Sequence, residues 1–169
     1  MARQVKFKEK PYNLVGPEIK VGDKAPDFEC AEVLDLVTLA STPAKARLFS
    51  VVPSLDTGVC NKQTHHFDTA IAELKDKVAA YTISLDMPFA QKRFCSAENI
   101  SNFKTYSDLH NFSFGKAYGV LLEGLAVPLL TRSIFVLDKT GKVTYVEYVP
   151  EVTHEPNYEK ALAALKAAI

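Results

Sequence analysis

The run Pro53-Ser54-Leu55-Asp56-Thr57-Gly58-Val59-Cys60 places a cysteine just past a loop, at the expected start of a helix. Such a position makes a thiolate, because the unpaired N–H groups of a first helical turn and the positive end of the helix dipole favour S⁻ over SH. The thiolate is the nucleophilic form. Thr57, three residues earlier, can offer its hydroxyl to the sulfur or cap the helix, as Asp56 also can, and Pro53 can wall off water without adding a competing N–H donor. A cation would complete the site. Arg132 stands immediately before Ser133–Leu137, and a strand end there can deliver its forked guanidinium to a neighbouring loop. The two other cysteines, Cys30 and Cys95, make an odd total of three, widely spaced, which fits neither a dense disulfide framework nor a C-x-x-C motif. Cys30 alternates with Phe28 in a strand-like segment and reads as core.

Hydrophobic periodicity supplies the elements that must position these residues. Leu48–Val52 is a short apolar run of the buried-strand type, and it stops at Pro53, where a ladder donor is lost. From Cys60 to about Lys77, Phe67, Ala70, Ile71, Leu74 and Val78 recur at helical spacing. Val78–Leu85 reads as a second buried strand, and Phe89–Ala97 as a short helix carrying Cys95. Ser133–Leu137 and Val143–Val149 read as strands joined by the turn Asp138-Lys139-Thr140-Gly141, and Tyr158–Ile169 as an amphipathic closing helix. At the amino terminus, Val5 and Phe7 alternate with Lys6 and Lys8, and the chain then passes Gly16-Pro17 to Ile19 and Val21, which predicts a short β-hairpin. Strand, helix, strand, helix, hairpin and helix predict an α/β fold with a mixed central sheet flanked by helices, in the order of a thioredoxin-like fold. At 169 residues the expectation is a single domain, with residues 1–21 as an amino-terminal hairpin extension.

Pro53, Thr57 and Cys60 reproduce P-x-x-x-T-x-x-C, the active-site pattern of the peroxiredoxins, and Arg132 sits where that family carries an active-site arginine. The chain resembles the thiol peroxidase subgroup of atypical two-cysteine peroxiredoxins through KVGDKAPDF, PSLDTGVC, SLDMPFAQKRFC, SDLHNFSFGKAYGV, RSIFVLDKTGKV and EPNY, nearly its whole length from Lys20. Gly58 departs from the pattern, since many members carry proline there, which bears on loop rigidity. No cysteine follows Cys95 and position 65 is His65, which departs from two other subgroups, and the resemblance places Cys95, following DMPFAQKRF, at the resolving position of the thiol peroxidases. The resemblance implies that Cys60 attacks the peroxide and becomes a sulfenic acid, that Cys95 condenses with it to a disulfide, and that thioredoxin reduces that disulfide. Thr57 and Arg132 would orient the peroxide and stabilise charge on the departing oxygen. It further implies hydrogen peroxide and alkyl hydroperoxides as substrates, a homodimer, and no metal or other cofactor.

Composition limits the rest. Twenty Lys+Arg balance twenty Asp+Glu, so no overall charge draws the chain to nucleic acid or an anionic membrane. No apolar stretch approaches the roughly 20 residues of a membrane span, and MARQVKFKEKPYN has no apolar signal core, which makes the cytoplasm the expected location. A cysteine hydrolase would need His65 or His66 as base, but five or six residues along one helix do not return to the same side, so both read as surface or helix-flank residues. They form no zinc set with Cys60 either, and neither Gly-rich phosphate motif occurs. Phe112, Phe114 and Tyr118 read as core that can also line an apolar entrance. The alternative function is a non-catalytic thioredoxin-fold module that uses Cys60 only for redox sensing or partner holding.

Overall fold

The computed structural model describes residues 2–169. Strands β1 (Gln4–Phe7) and β2 (Lys10–Val15) form an amino-terminal hairpin, and β3 (Glu29–Glu32) and β4 (Asp35–Thr38) a second. They are followed by β5 (Ala46–Val51), α1 (Gly58–Ile71), β6 (Val78–Ser84) and α2 (Pro88–Ala97). The chain then runs through β7 (Lys104–Ser107), α3 (Ser113–Ala117), β8 (Leu121–Leu122), β9 (Ser133–Leu137), β10 (Val143–Tyr148) and α4 (Tyr158–Ala167). Seven strands make one sheet in the order β10-β9-β5-β6-β7-β3-β4. The pairs β5–β6 and β6–β7 are parallel, and the others antiparallel, giving the mixed sheet expected from the sequence. No described helix is long and apolar enough to cross a membrane.

Burial explains why β5 shows no apolar/polar alternation: Ala46, Leu48, Phe49 and Val51 point to both faces of the sheet, and even Arg47 and Ser50 are buried. All six of its residues are buried, because the central strand is covered on both faces. Phe49 and Val51 face a cluster with Phe28, Tyr81, Tyr106, Phe114 and Tyr118; Leu48 faces the other side, with Phe67 and Ile71 of α1 and Leu165 of α4. The ladder continues one residue past β5, where the Val52 N–H donates to Ile83 O at 3.0 Å, and Pro53 ends it for lack of a donor. The loop after β5 therefore leaves the sheet at the carboxyl ends of its parallel strands.

The amino-terminal hairpin is present but differs from the sequence expectation. Its turn is Lys8-Glu9, not Gly16-Pro17, and its second strand is Lys10–Val15, not the stretch around Ile19 and Val21. Both turn residues have positive φ, 51° and 67°, values usually left to Gly or Asn. A distant carboxylate holds them: Glu151 accepts the Lys8 and Glu9 N–H groups at 3.1 and 3.0 Å. Burial pushes the Glu151 carboxyl up, but bonds from Glu9, Thr153 and Lys8 outweigh it and bring the group to about 2. The hairpin then adds β8 to complete a three-stranded sheet. At the other end, Asp138-Lys139-Thr140-Gly141 is the turn the sequence predicts, with Gly141 at φ 86°.

Candidate active site

Cys60 lies in the first turn of α1, whose N-cap is Thr57, with extended backbone (φ −99°, ψ 148°). The Thr57 side chain does not cap the helix; its Oγ1 lies 2.7 Å from Cys60 Sγ and 3.0 Å from Ser54 O. A hydroxyl has one proton to donate. Donation to the sulfur suits a thiolate, whereas a protonated sulfur would give its own proton to Thr57 and leave the hydroxyl to Ser54 O. One side chain thus serves both protonation states.

Arg132, 2% exposed, brings the cation expected from the sequence. Its Nη2 donates to Cys60 Sγ at 3.4 Å, while Nε donates to Val152 O and Nη1 to Gln63 Oε1, each at 2.8 Å. The fork is fixed by two neutral oxygens, which leaves its charge for the sulfur and for whatever oxygen lies beside it. No carboxylate competes for Arg132 within 4 Å among the described residues.

Two supporting residues escape a reading of the motif alone. Gln63 donates from Nε2 to Ser50 Oγ of β5 at 2.7 Å, so its amide oxygen is aimed at Arg132. Its position one turn after Cys60 was the available signal. Asp86, just past β6, accepts from Ser54 Oγ (2.8 Å), the Leu55 N–H (2.9 Å) and Ser84 Oγ (2.7 Å), and so pins the loop that carries Thr57. Nothing local in the sequence marks that partner, thirty-odd residues away.

Pro53 is buried and lines, with Thr57 and Arg132, a cavity of about 370 Å³. Its other walls are largely apolar: Phe7, Val59, Leu129 and Val152. The amino-terminal hairpin therefore contributes to the mouth of the site. Phe114 and Tyr118 do not; they stack at 4.0 Å between ring centres inside the core.

The remaining cysteines sit apart. Cys95, on α2, is half-buried against the α1–α4 side of the sheet, and burial pushes its thiol up, with Thr105 acting against the shift and Asp68 adding to it. Cys30 is fully buried, as its alternation with Phe28 implied, and its Sγ donates to Asp108 Oδ1 at 3.6 Å. Burial, then the charge and hydrogen bond of Asp108, push the Cys30 thiol far up. All three cysteines are free thiols. His65 and His66 lie on the flanks of α1: His65 Nε2 is 2.9 Å from Glu98 Oε2, and His66 stacks on Tyr158 of α4 at 3.8 Å.

Comparison with known proteins identifies the family. The Redoxin family model matches residues 20–162. The chain is 52% identical to a thiol peroxidase of Halalkalibacterium halodurans and 50% identical to one of Bacillus subtilis, each match covering 98% of both chains. Its fold superposes with a TM-score of 0.92 on a peroxiredoxin-like protein from Aquifex aeolicus, 42% identical, over 100% of this chain and 99% of that one.

Proposed function

This chain belongs to the peroxiredoxin family as a thiol peroxidase with a Redoxin domain, and on that premise we propose that Cys60 is the residue that attacks the peroxide. The observation that carries the reading is the pair of donors on one sulfur, Thr57 Oγ1 at 2.7 Å and Arg132 Nη2 at 3.4 Å, beside a cavity open to a small ligand. The Cys60 thiolate attacks the nearer peroxide oxygen, the O–O bond breaks, and the departing oxygen leaves as alcohol or water after taking a proton. Charge builds on that oxygen, and preplaced donors stabilise it without reorganising. Pro53 and the apolar walls keep water from the sulfur.

Cys60 is then a sulfenic acid, and Cys95 is the proposed resolving thiol. Its sulfur displaces the hydroxyl, forming the S–S bond and releasing water with the Cys95 proton. Thioredoxin would return both thiols by disulfide exchange. Helices α1 and α2 each carry one cysteine, and a disulfide requires Cα atoms roughly 4.4–6.8 Å apart, so a helical segment unwinds to let them meet. Apolar walls suit alkyl hydroperoxides as well as hydrogen peroxide. The same reading takes residues 1–169 as one domain, with residues 1–21 as its extension, acting as a homodimer in a reducing cytoplasm.

The test is turnover of hydrogen peroxide and of cumene hydroperoxide with thioredoxin, its reductase and NADPH. Steady cycling is expected of the wild type and of Cys30→Ser, and one turnover only of Cys95→Ser. Steady cycling of Cys95→Ser with thioredoxin would contradict the resolving role.

A further inference from the structure

The resolving step asks the chain around Cys95 to move, and the hydrogen bonds around α2 show which part is free to do so. Its entry is fixed by Gln91, which donates from Nε2 to Ser84 Oγ and to Tyr106 O, each at 3.0 Å. Its exit is fixed by Asp68 of α1, which accepts the Asn102 N–H at 2.7 Å and the Ser101 N–H at 3.2 Å through Oδ1. Between these anchors lies the last turn of α2, closed by Glu98 N–H to Phe94 O (2.9 Å) and Ile100 N–H to Cys95 O (3.0 Å).

One polar contact joins this turn to α1. Among the described residues, the only hydrogen bonds from α1 to residues 88–103 are those of Asp68 and the 2.9 Å contact of His65 with Glu98. His65 is five residues after Cys60, and Glu98 three after Cys95. His66 is tied to α4 instead, so the neighbouring histidines hold the two sides of α1 differently. A groove of about 510 Å³, lined by Thr57, Gly58, Asn61, Lys62, Phe94 and Glu98, separates the first turn of α1 from the last turn of α2. Neither cysteine lines this groove, so Cys95 reaches it only by leaving the core, with Phe94 and Ile100 withdrawing beside it.

We infer that His65 and Glu98 form a clasp that sets the rate at which Cys95 leaves its helix to meet oxidised Cys60. The inference rests on the disulfide reading above. The clasp touches no reacting atom; it is a positioning contact, and it sets how long the sulfenic acid waits. A longer wait gives a second peroxide time to carry Cys60 to sulfinic acid, so the clasp also sets sensitivity to excess peroxide.

The test mixes one equivalent of hydrogen peroxide with wild type, His65→Ala, Glu98→Ala and the double variant, then quenches and alkylates at intervals. Peptide mass spectrometry follows the Cys60–Cys95 linkage, and consumption of peroxide follows the first step. Linkage is expected to form roughly two- to fivefold faster in each single variant, the scale of an exposed ion pair, with the first step unchanged. The double variant should be no faster than either single one, because both remove the same contact. With excess peroxide the variants should yield less sulfinic acid than wild type at a constant first step, because faster linkage leaves the sulfenic acid less time to meet a second peroxide. Linkage at one rate in all four proteins would overturn the clasp alone. No linkage in the wild type would overturn the disulfide reading and the clasp with it.

Discussion

Cys30 and Cys60 are both fully buried, each 0% exposed, yet their neighbours are opposite in kind. Around Cys60 stand two donors, the Thr57 hydroxyl and the Arg132 guanidinium, at the start of a helix. Cys30 faces an acceptor, the Asp108 carboxylate at 3.6 Å, itself pushed up by burial although the N–H groups of Gly115 and Phe114 pull it back. Burial alone penalises any charged sulfur. What separates the two thiols is the sign of the charge beside them. On the proposed reading, the reactivity of Cys60 follows from its neighbours more than from its exposure.

The largest effects should come from removing the donors of the Cys60 side. Arg132→Lys keeps the charge but cannot serve Val152 O, Gln63 and the sulfur at once, so the second-order rate of peroxide reduction in stopped flow should fall about 100-fold. An unchanged rate would remove the guanidinium from the comparison. Gln63→Leu leaves Arg132 in place but takes one of its acceptors, and the same measurement should fall about tenfold.

On the Cys30 side the effect is on stability. The thiol is raised in the folded state, so as pH rises past its ordinary value of 9.0 the unfolded chain loses a proton that the folded chain keeps. Stability therefore falls with rising pH above about 9, by about 1.4 kcal/mol per pH unit for one group. Urea unfolding of Cys30→Ser should lose that share of the slope between about pH 9 and 10 while peroxidase activity stays as in wild type. A slope unchanged by the substitution would mean that burial and the neighbouring Asp108 do not hold this thiol protonated.

The smallest effect concerns Gly58, the first residue of α1. A Cβ there meets nothing within 4 Å, and Thr57 before it is already extended, as a following proline requires. Gly58→Pro should raise stability by about 0.4–1 kcal/mol in urea unfolding, by restricting the unfolded chain. Destabilisation would show that the loop before Cys60 needs the freedom of glycine.

Local signals account for what the sequence revealed and where it fell short. Cys60, Thr57 and Pro53 lie within eight residues of one another, so their chemistry is written in one stretch of chain, and Arg132 is marked by the strand it precedes. The buried strands β5, β6 and β9 were legible because cover on both faces leaves mostly apolar runs without alternation. Strands β4 and β7 were not: each is four residues long, with exposed or half-exposed positions that leave little pattern. The Lys8-Glu9 turn escaped because its positive φ angles are held by Glu151, far along the chain, in place of a local glycine. Asp86 was hidden for the same reason, and its bonds to the Thr57 loop emerge only on folding.

One measurement bears most directly on the contrast between the two buried thiols. Cys95→Ser treated with one equivalent of hydrogen peroxide in the presence of dimedone traps a sulfenic acid wherever it forms, and peptide mass spectrometry reads the position. The expected result is a label on Cys60 alone, with Cys30 unmodified. A label on Cys30, with Cys60 still a free thiol, would contradict the account.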